Sequence, residues 1–344
     1  MDSRRTRALL ALCLLLAFVL AGCGSQVTPP APPDDPDAEP LRCPLDGTVL
    51  YRESEVTKRT LGVIIDNDPA AWPVSGLSRA CLVYEVPVEG GLTRFLAFYH
   101  HQDAALTGPV RSVRTYFLPL VLENDAILAH VGGSEAALEG IAANGIEHFD
   151  ELVGGTPFWQ GSNRHRPYST FTNTDQMRTA AVKAGYRGAD KAQPFAAFSD
   201  DNPFAVDPQA GLSIKPAPTI TFGGGAVSYR YDSTAGVYQR YSGDAGQRDG
   251  ATGGGISPQT VVVLFLPGKA PAGNPEGSLR LTGSGTAFYF SGGVGTAGTW
   301  KRSTAAARTE LLDAAGKPIV LRPGQVWVHV VYADAAVAPD LAAK

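Results

Sequence analysis

The chain has 344 residues and a formal net charge of −4; 44% of its residues are hydrophobic and 18% are charged. This composition excludes an intrinsically disordered chain, which would be poorer in apolar residues. No concentrated basic patch is present, which argues against a nucleic-acid partner. The 39 glycines and 26 prolines exclude a helical bundle or coiled coil and predict a turn-rich fold with many strands.

The N-terminus predicts an export signal that ends in a lipidation site. Three arginines within the first seven residues precede the apolar stretch Ala8–Leu20, which is short for a membrane-spanning helix. The run Leu20-Ala21-Gly22-Cys23 resembles the bacterial lipobox, which implies cleavage before Cys23 and lipid attachment there; the alternative is an ordinary secretory signal with an incidental cysteine. Several lipid chains, at about 0.8 kcal/mol per buried CH2, give a lasting anchor. We therefore predict a signal peptide over residues 1–22 and a protein held in the membrane by lipid on Cys23, at the outer face of the bacterial cytoplasmic membrane.

An α/β pattern follows a predicted tether. Residues 23–43 combine prolines with aspartates and have almost no large apolar side chain, which predicts an extended tether. The predicted strands beyond it are, in order, Leu61–Asp66, Ala80–Val88, Leu92–Tyr99 and Ala126–Val131. The predicted helices are Ser112–Asn124 with a kink at Pro119, Glu135–Ala143 capped by Ser134, and Thr174–Gly185. Strands that alternate with helices predict an α/β (α+β) domain over residues 44–199.

The composition changes after this domain. Residues 200–218 are rich in proline and aspartate and predict a linker. Beyond them, Gly or Pro turns separate most of nine short apolar runs, which are Thr219–Phe222, Ala226–Tyr231, Gly236–Tyr241, Thr260–Leu266, Ser278–Phe290, Gly298–Arg302, Glu310–Asp313, Ile319–Leu321 and Val326–Tyr332. This pattern predicts a smaller all-β domain, a barrel or sandwich, over residues 219–333, followed by a tail over residues 334–344.

Besides Cys23, the predicted mature chain contains two cysteines, Cys43 and Cys81. Outside the cytoplasm, two such thiols can form a disulfide. A disulfide between them would join the start of the fold to an early strand. The alternative is two unpaired buried thiols, since a sequence does not give the Cα separation that a disulfide needs. Neither cysteine has the spacing of a metal-binding motif. The sequence therefore predicts no metal site and no cofactor.

Ordered motifs carry a family resemblance. In the first domain they are Ile64–Pro73 (IIDNDPAAWP), Ser75–Ser78 (SGLS), Val83–Glu85 (VYE), Val88–Phe95 (VEGGLTRF), Gly108–Arg114 (GPVRSVR), and His130 with Gly132–Ser134 (GGS). The second domain adds Gly298–Lys301 (GTWK) and Pro323–Trp327 (PGQVW). Over residues 44–333 the chain resembles the bacterial YerB-like lipoprotein family, which is known by a domain of unknown function (DUF3048) and its C-terminal domain. The resemblance implies a two-domain extracytoplasmic lipoprotein and brings no established reaction. Three departures from the family pattern are Asp68, where the family has histidine, Pro167-Tyr168-Ser169, where it has a Pro-His-Asn-like run, and Cys81, where it has an acidic residue. A catalytic role that rests on either histidine would fail in this chain.

The polar residues of these motifs lie at strand ends or in turns, where α/β sheets place their sites. They are Asp66, Asn67, Glu85, Glu89, Arg94, Arg111, Arg114 and His130. Because guanidinium groups offer planar paired donors, arginines among carboxylates predict a groove for an anionic or cell-wall glycan ligand, or for a protein partner. We expect these residues to converge in one depression of the first domain. The alternative is an internal salt-bridge network that ties the strand ends together.

The same carboxylates leave an enzymatic interpretation open. Glu85 and Glu89 would lie about 13 Å apart along a strand, whereas glycosidase carboxylates lie about 5–5.5 Å or about 6.5–9.5 Å apart. Asp66 and Glu85 would come within reach on adjacent strands, which lie about 4.8 Å apart. The first hypothesis is thus a non-catalytic envelope protein that binds a ligand. The alternative is a hydrolase of a cell-envelope polymer, with Asp66 and Glu85 as acid and base.

Overall fold

The part of the chain that the computed structural model describes begins after the predicted signal. It comprises residues 40–154, 156–201, 218–222, 225–271, 273–276, 278–333 and 337–338. The signal peptide, the lipidation site at Cys23, most of the tether, most of the linker and most of the tail lie outside these residues. No helix in the described ranges has the length and apolar character that crossing a membrane requires.

Strands dominate the described residues. The four α-helices there are α1 (Glu53–Val56), α2 (Leu118–Glu123), α3 (Glu135–Ala143) and α4 (Thr174–Lys183). The strands of the first half are β1 (Leu61–Asp66), β2 (Leu82–Pro87), β3 (Thr93–Tyr99), β4 (Ile127–His130), β5 (His148–Asp150), β6 (Trp159–Gln160), β7 (Thr170–Phe171) and β8 (Ala197–Phe198). Those of the second half are β9 (Thr219–Phe222), β10 (Gly225–Asp232), β11 (Val237–Ser242), β12 (Ala245–Gly246), β13 (Thr260–Leu266), β14 (Gly283–Ser291), β15 (Val294–Arg302), β16 (Glu310–Asp313), β17 (Val320–Leu321), β18 (Val326–Tyr332) and β19 (Val337–Ala338).

A ten-stranded mixed sheet organises the fold. Its strand order is β16-β15-β14-β13-β18-β2-β3-β1-β4-β5. Strand β18 pairs in parallel with both β13 and β2, so strands from the two halves of the chain share one sheet. A second, five-stranded sheet has the order β12-β11-β10-β9-β19. Two further pairs, β17 with β8 and β6 with β7, complete the sheets.

The predicted elements of the first half form with changed ends. Strand β1 and helix α3 have the predicted bounds, and the Ser134 hydroxyl caps α3 by accepting a hydrogen bond from the Ala137 amide. The predicted helix over Ser112–Asn124 is shorter: a 3₁₀ turn leads into α2, which starts beside Pro119. Proline has no amide hydrogen to donate, and it is tolerated in the first turn of a helix. It therefore marks a helix start here and not a kink.

The second half is built of strands, as predicted, and no α-helix occurs in its described residues. The barrel or sandwich expected for it is not formed as a separate unit, because β13–β16 and β18 continue the sheet of the first half. Without β18, strand β2 would expose an unpaired edge of buried, apolar residues, and such an edge invites aggregation. The residue boundaries of the two domains stay predictions.

Both faces of the large sheet are covered. On one face, side chains such as Ile64, Leu96 and Phe98 pack with α2 and α3. On the other, Ile65, Phe95 and Trp327 pack in a cluster that includes residues of the second sheet. Strand β1 is therefore apolar and buried along its whole length up to Asp66, as strands inside a covered sheet are.

Candidate functional site

A cavity of about 550 Å³ lies where the second sheet covers the ends of β1, β2 and β3. The large sheet contributes polar side chains to its wall, and the second sheet contributes Arg240. Its lining residues include Asn67, Trp72, Glu85, Phe222, Arg240 and Arg248. The wall combines aromatic faces with a few hydrogen-bonding groups, which is the usual composition of a ligand site.

A buried ion pair forms the floor of the cavity. Glu85 on β2 and Arg240 on β11 are each about 1% exposed, and Nη2 of Arg240 donates to Oε2 of Glu85 at 2.8 Å. The other carboxylate oxygen, Oε1, accepts hydrogen bonds from Asn67 Nδ2 (3.0 Å) and Thr93 Oγ1 (2.8 Å). Burial by itself raises the pKa of Glu85, but the charge and hydrogen bond of Arg240 and the hydrogen bond from Thr93 outweigh it and hold the pKa below its ordinary value. The carboxylate is therefore ionised, and both of its oxygens accept hydrogen bonds.

The guanidinium of Arg240 is only partly engaged. Its Cζ lies 5.0 Å from the ring centre of Trp327, 5.4 Å from that of Phe95 and 5.9 Å from that of Trp72, which favours the cation electrostatically. Its Nε and Nη1 are buried and make no hydrogen bond of good geometry among the described residues, although the Tyr229 hydroxyl interacts with the guanidinium. Buried donors of a charged group are costly to leave unpaired. Two nitrogens of Arg240 therefore keep unused hydrogen-bonding capacity beside the cavity, and a ligand oxygen would reach them only after the side chains that cover them move.

A neutral histidine backs the ion pair. His329 on β18 is fully buried; its Nδ1 lies 3.3 Å from Oε2 of Glu85 and its Nε2 lies 2.8 Å from the Tyr229 hydroxyl. Burial, together with the nearby positive charge of Arg240, lowers the pKa of His329 to about 4, although Glu85 acts in the opposite direction. The imidazole is therefore uncharged at neutral pH. Neither Arg240 nor His329 was predicted as a site residue, because neither belongs to a motif with a functional spacing.

The register of the sheet separates Asp66 from Glu85. Strand β3 lies between β1 and β2, so the two carboxylates are not on adjacent strands. Asp66 pairs with Arg94 on β3, whereas Glu85 pairs with the next residue, Phe95. Consecutive residues of a strand point to opposite faces, and directly paired residues share a face. The expected convergence of all the polar motif residues in one depression is therefore wrong.

Three of the predicted arginines gather on the Asp66 side of the sheet. Arg111 Nε lies 3.0 Å from Asp66 Oδ2, and Arg114 Nε lies 2.5 Å from Glu89 Oε1. Burial lowers the pKa of the third, Arg94, to about 10, and the positive charges of Arg114 and Arg111 act in the same direction. Here the carboxylates are each held by an arginine, which is the arrangement expected of a salt-bridge network.

The remaining predicted residues lie in other surroundings. His130 contacts the carbonyl oxygen of Gly132 (2.8 Å) and Nδ1 of His148 (2.9 Å), and burial lowers its pKa. Cys43 and Cys81 are buried free thiols in the structure, not a disulfide. Their pairing stays a prediction. Of the predicted set, only Asn67 and Glu85 line the cavity.

Similarity of sequence and of structure identifies the family of the chain. The chain matches the family described as "Protein of unknown function (DUF3048) N-terminal domain" over residues 46–187 and the corresponding C-terminal domain over residues 219–328. It therefore belongs to the DUF3048 family, which confirms the resemblance drawn from its motifs. It is 29% identical over 323 residues to "Putative lipoprotein YerB" of Bacillus subtilis (strain 168), which covers 93% of each chain. The crystal structure of the YerB protein from Bacillus subtilis matches with a TM-score of 0.73 at 26% identity, over 87% of this chain and 99% of that one.

Proposed function

We propose that the protein is a lipid-anchored, extracytoplasmic envelope protein that binds an acidic glycan fragment in the cavity above Arg240. The observation that carries this proposal is the pair of nitrogens without a hydrogen bond of good geometry, Nε and Nη1, on a guanidinium that is 1% exposed and lines the cavity. A carboxylate is the group that a planar guanidinium binds best, through paired hydrogen bonds.

The charges of the wall favour an anionic ligand. Arg240 and Arg248 both line the cavity, whereas the acidic lining residue, Glu85, already pairs with Arg240 and accepts hydrogen bonds from two further donors. An additional carboxylate would meet an excess of positive charge there. A cationic ligand would be repelled by these arginines, and a neutral ligand would gain hydrogen bonds without the added strength of an ionised acceptor.

The apolar part of the wall suits a sugar ring. Trp72 is partly buried, and its Nε1 donates to Asn67 Oδ1 at 2.8 Å, which fixes the indole plane beside the ion pair. Phe222 supplies a second aromatic side chain. A volume of about 550 Å³ lies within the range of about 300–1,000 Å³ typical of small-molecule sites.

The arrangement of the carboxylates disfavours hydrolysis with Asp66 and Glu85 as acid and base. The two carboxylates lie on opposite faces of the sheet, so they cannot flank one scissile bond.

Binding is tested with two disaccharides of similar size. N-acetylglucosaminyl-N-acetylmuramic acid carries a carboxylate, and chitobiose does not. We expect calorimetric titration of the full-length protein to give at least tenfold tighter binding of the acidic disaccharide. Arg240→Lys, which keeps the charge but loses the paired donors, should weaken that binding at least tenfold. Arg302→Lys is the matched control, because Arg302 is equally buried and pairs with Glu123 at 2.6 Å but does not line the cavity. Equal binding of both disaccharides, or of neither, would contradict the proposal.

The lipid anchor is tested by metabolic labelling with a clickable fatty acid. We expect label on the wild-type protein and none on Cys23→Ala, because the thiol that accepts the lipid is lost. Cys13→Ala is the control, since Cys13 lies in the apolar stretch of the signal and leaves with it. Label that persists on Cys23→Ala would show that the lipid is attached elsewhere, and a wild-type protein without label would show that it carries no such anchor.

A further inference from the structure

Four side chains with metal-ligating atoms meet at the start of the fold, away from the cavity. They are Cys43, Asp46, Cys81 and His101, and one ligand atom of each lies within 4.8 Å of those of the other three. The Cys81 Sγ lies 3.3 Å from the His101 Nδ1, and that nitrogen lies 3.9 Å from the Asp46 Oδ2. Neither sequence spacing nor the DUF3048 family match pointed to this group.

Cys43 and Asp46 are presented by one tight turn. The Cys43 amide donates to the Thr48 carbonyl and the Gly47 amide donates to the Cys43 carbonyl, each at 2.9 Å. Gly47 has a φ of +70°, and a Cβ there would overlap the Phe198 ring, so the turn requires glycine. The Thr48 amide donates to Oδ1 of Asp46, which leaves Oδ2 facing His101. The turn thus places the Cys43 sulfur and the Asp46 Oδ2 on the same side, near Cys81 and His101.

Cys81 and His101 are presented by the neighbouring ends of two paired strands. Cys81 precedes β2, and its amide donates to the Phe98 carbonyl of β3 at 2.8 Å. His101 follows β3, so the antiparallel pairing brings it back beside Cys81. The ligand atoms therefore come from two rigid pieces of backbone, the turn and the sheet end.

We propose that Cys43, Asp46, Cys81 and His101 form a structural site for Zn²⁺, bound through two thiolates, one imidazole nitrogen and one carboxylate oxygen. Tetrahedral zinc with bonds of about 2.0–2.3 Å separates its ligand atoms by about 3.3–3.8 Å, close to the two distances above. Thiolate and imidazole ligands select zinc-like metals over Mg²⁺ and Ca²⁺, which prefer oxygen. On binding, the thiols release their protons to solvent as the metal–sulfur bonds form.

The burial of the site indicates a structural role. Cys43, Asp46 and Cys81 are each about 1% exposed or less, so four protein ligands complete the coordination with no open position for a substrate. A metal there would fasten residues 43–48, the first turn after the predicted tether, to the large sheet.

The site is tested with cobalt and zinc on the reduced, chelator-treated full-length protein. We expect Co²⁺ to bind in a 1:1 ratio with a sulfur-to-cobalt charge-transfer band and intense tetrahedral d–d bands, which equimolar Zn²⁺ removes. Cys81→Ser and His101→Ala should each weaken binding at least 100-fold and abolish or shift these bands. His165→Ala is the control, because His165 is exposed and belongs to no such group.

The Co²⁺ spectrum of the wild-type protein decides the outcome even if a variant does not fold. Absence of the charge-transfer band in folded wild-type protein would overturn the proposal. So would a Cys43–Cys81 disulfide in unreduced peptides of protein isolated from the cell envelope, because it consumes both thiolates. Failure of disaccharide binding leaves this site untouched, since the two sites share no residue.

Discussion

Arg240→Met is expected to lower the free energy of unfolding by about 3–5 kcal/mol, measured by urea denaturation at pH 7. The substitution preserves most of the side-chain volume but leaves the Glu85 carboxylate buried without its counter-charge. An uncompensated buried charge, and not the lost attraction alone, makes such a change severe. The three aromatic rings around the guanidinium add to the loss, because methionine carries no charge for them to attract.

Two comparisons isolate that cause. The double variant Glu85→Gln/Arg240→Met removes both charges, so it should recover more than half of the loss. Lys301→Met breaks a pair of similar length, 2.9 Å to Glu310, but both partners are about half exposed. Its cost should stay below about 1 kcal/mol. If Arg240→Met costs no more than Lys301→Met, the ion pair does not hold the floor of the cavity.

Acidification from pH 7 to pH 4 is expected to destabilise the wild-type protein by about 3 kcal/mol more than His329→Gln. The pKa of His329 is about 4 in the folded protein and about 6.5 in the unfolded chain. Between these values the unfolded state binds the proton and the folded state does not. Stability that is fully present above pH 6.5 is therefore lost as the pH falls toward 4.

Urea denaturation at intervals of half a pH unit measures this difference. The other titrating groups are shared, so the difference between the two stability curves isolates His329. His165→Gln is the control, because the exposed His165 side chain should leave the curve parallel to that of the wild type. Parallel curves for His329→Gln would mean that burial does not keep this imidazole neutral.

Local patterns predicted the elements of the fold well but not the order of its strands. Strand β1 and helix α3 follow from an apolar run and from a capping serine, which are signals carried by neighbouring residues. The pairing of β18 with β2 joins residues more than 240 positions apart, for example His329 with Glu85. No local periodicity encodes such a pairing, so the second half was expected to close on itself.

The candidate site was only half predictable for a related reason. Asn67 and Glu85 stand in motifs at strand ends, where sites are expected. Arg240, the partner of Glu85, lies 155 residues further along the chain. It belongs to a short run between two glycine turns, which predicts a strand but no site. The face on which each carboxylate lies depends on the register with β3, and a shift of one residue exchanges the faces.

The central position of β18 bears on the order in which the chain folds. Strands β2 and β13 cannot be joined until residues 326–332, which follow both strands in the sequence, are available for pairing. These pairings close long loops. The chain therefore loses conformational entropy before packing contacts can stabilise the closed state. During that interval β2 lacks one of its two sheet neighbours, and its backbone groups on that side are open to other chains. The first half is therefore not expected to fold on its own before the second half is complete. We expect the two family segments to fold together in one cooperative transition.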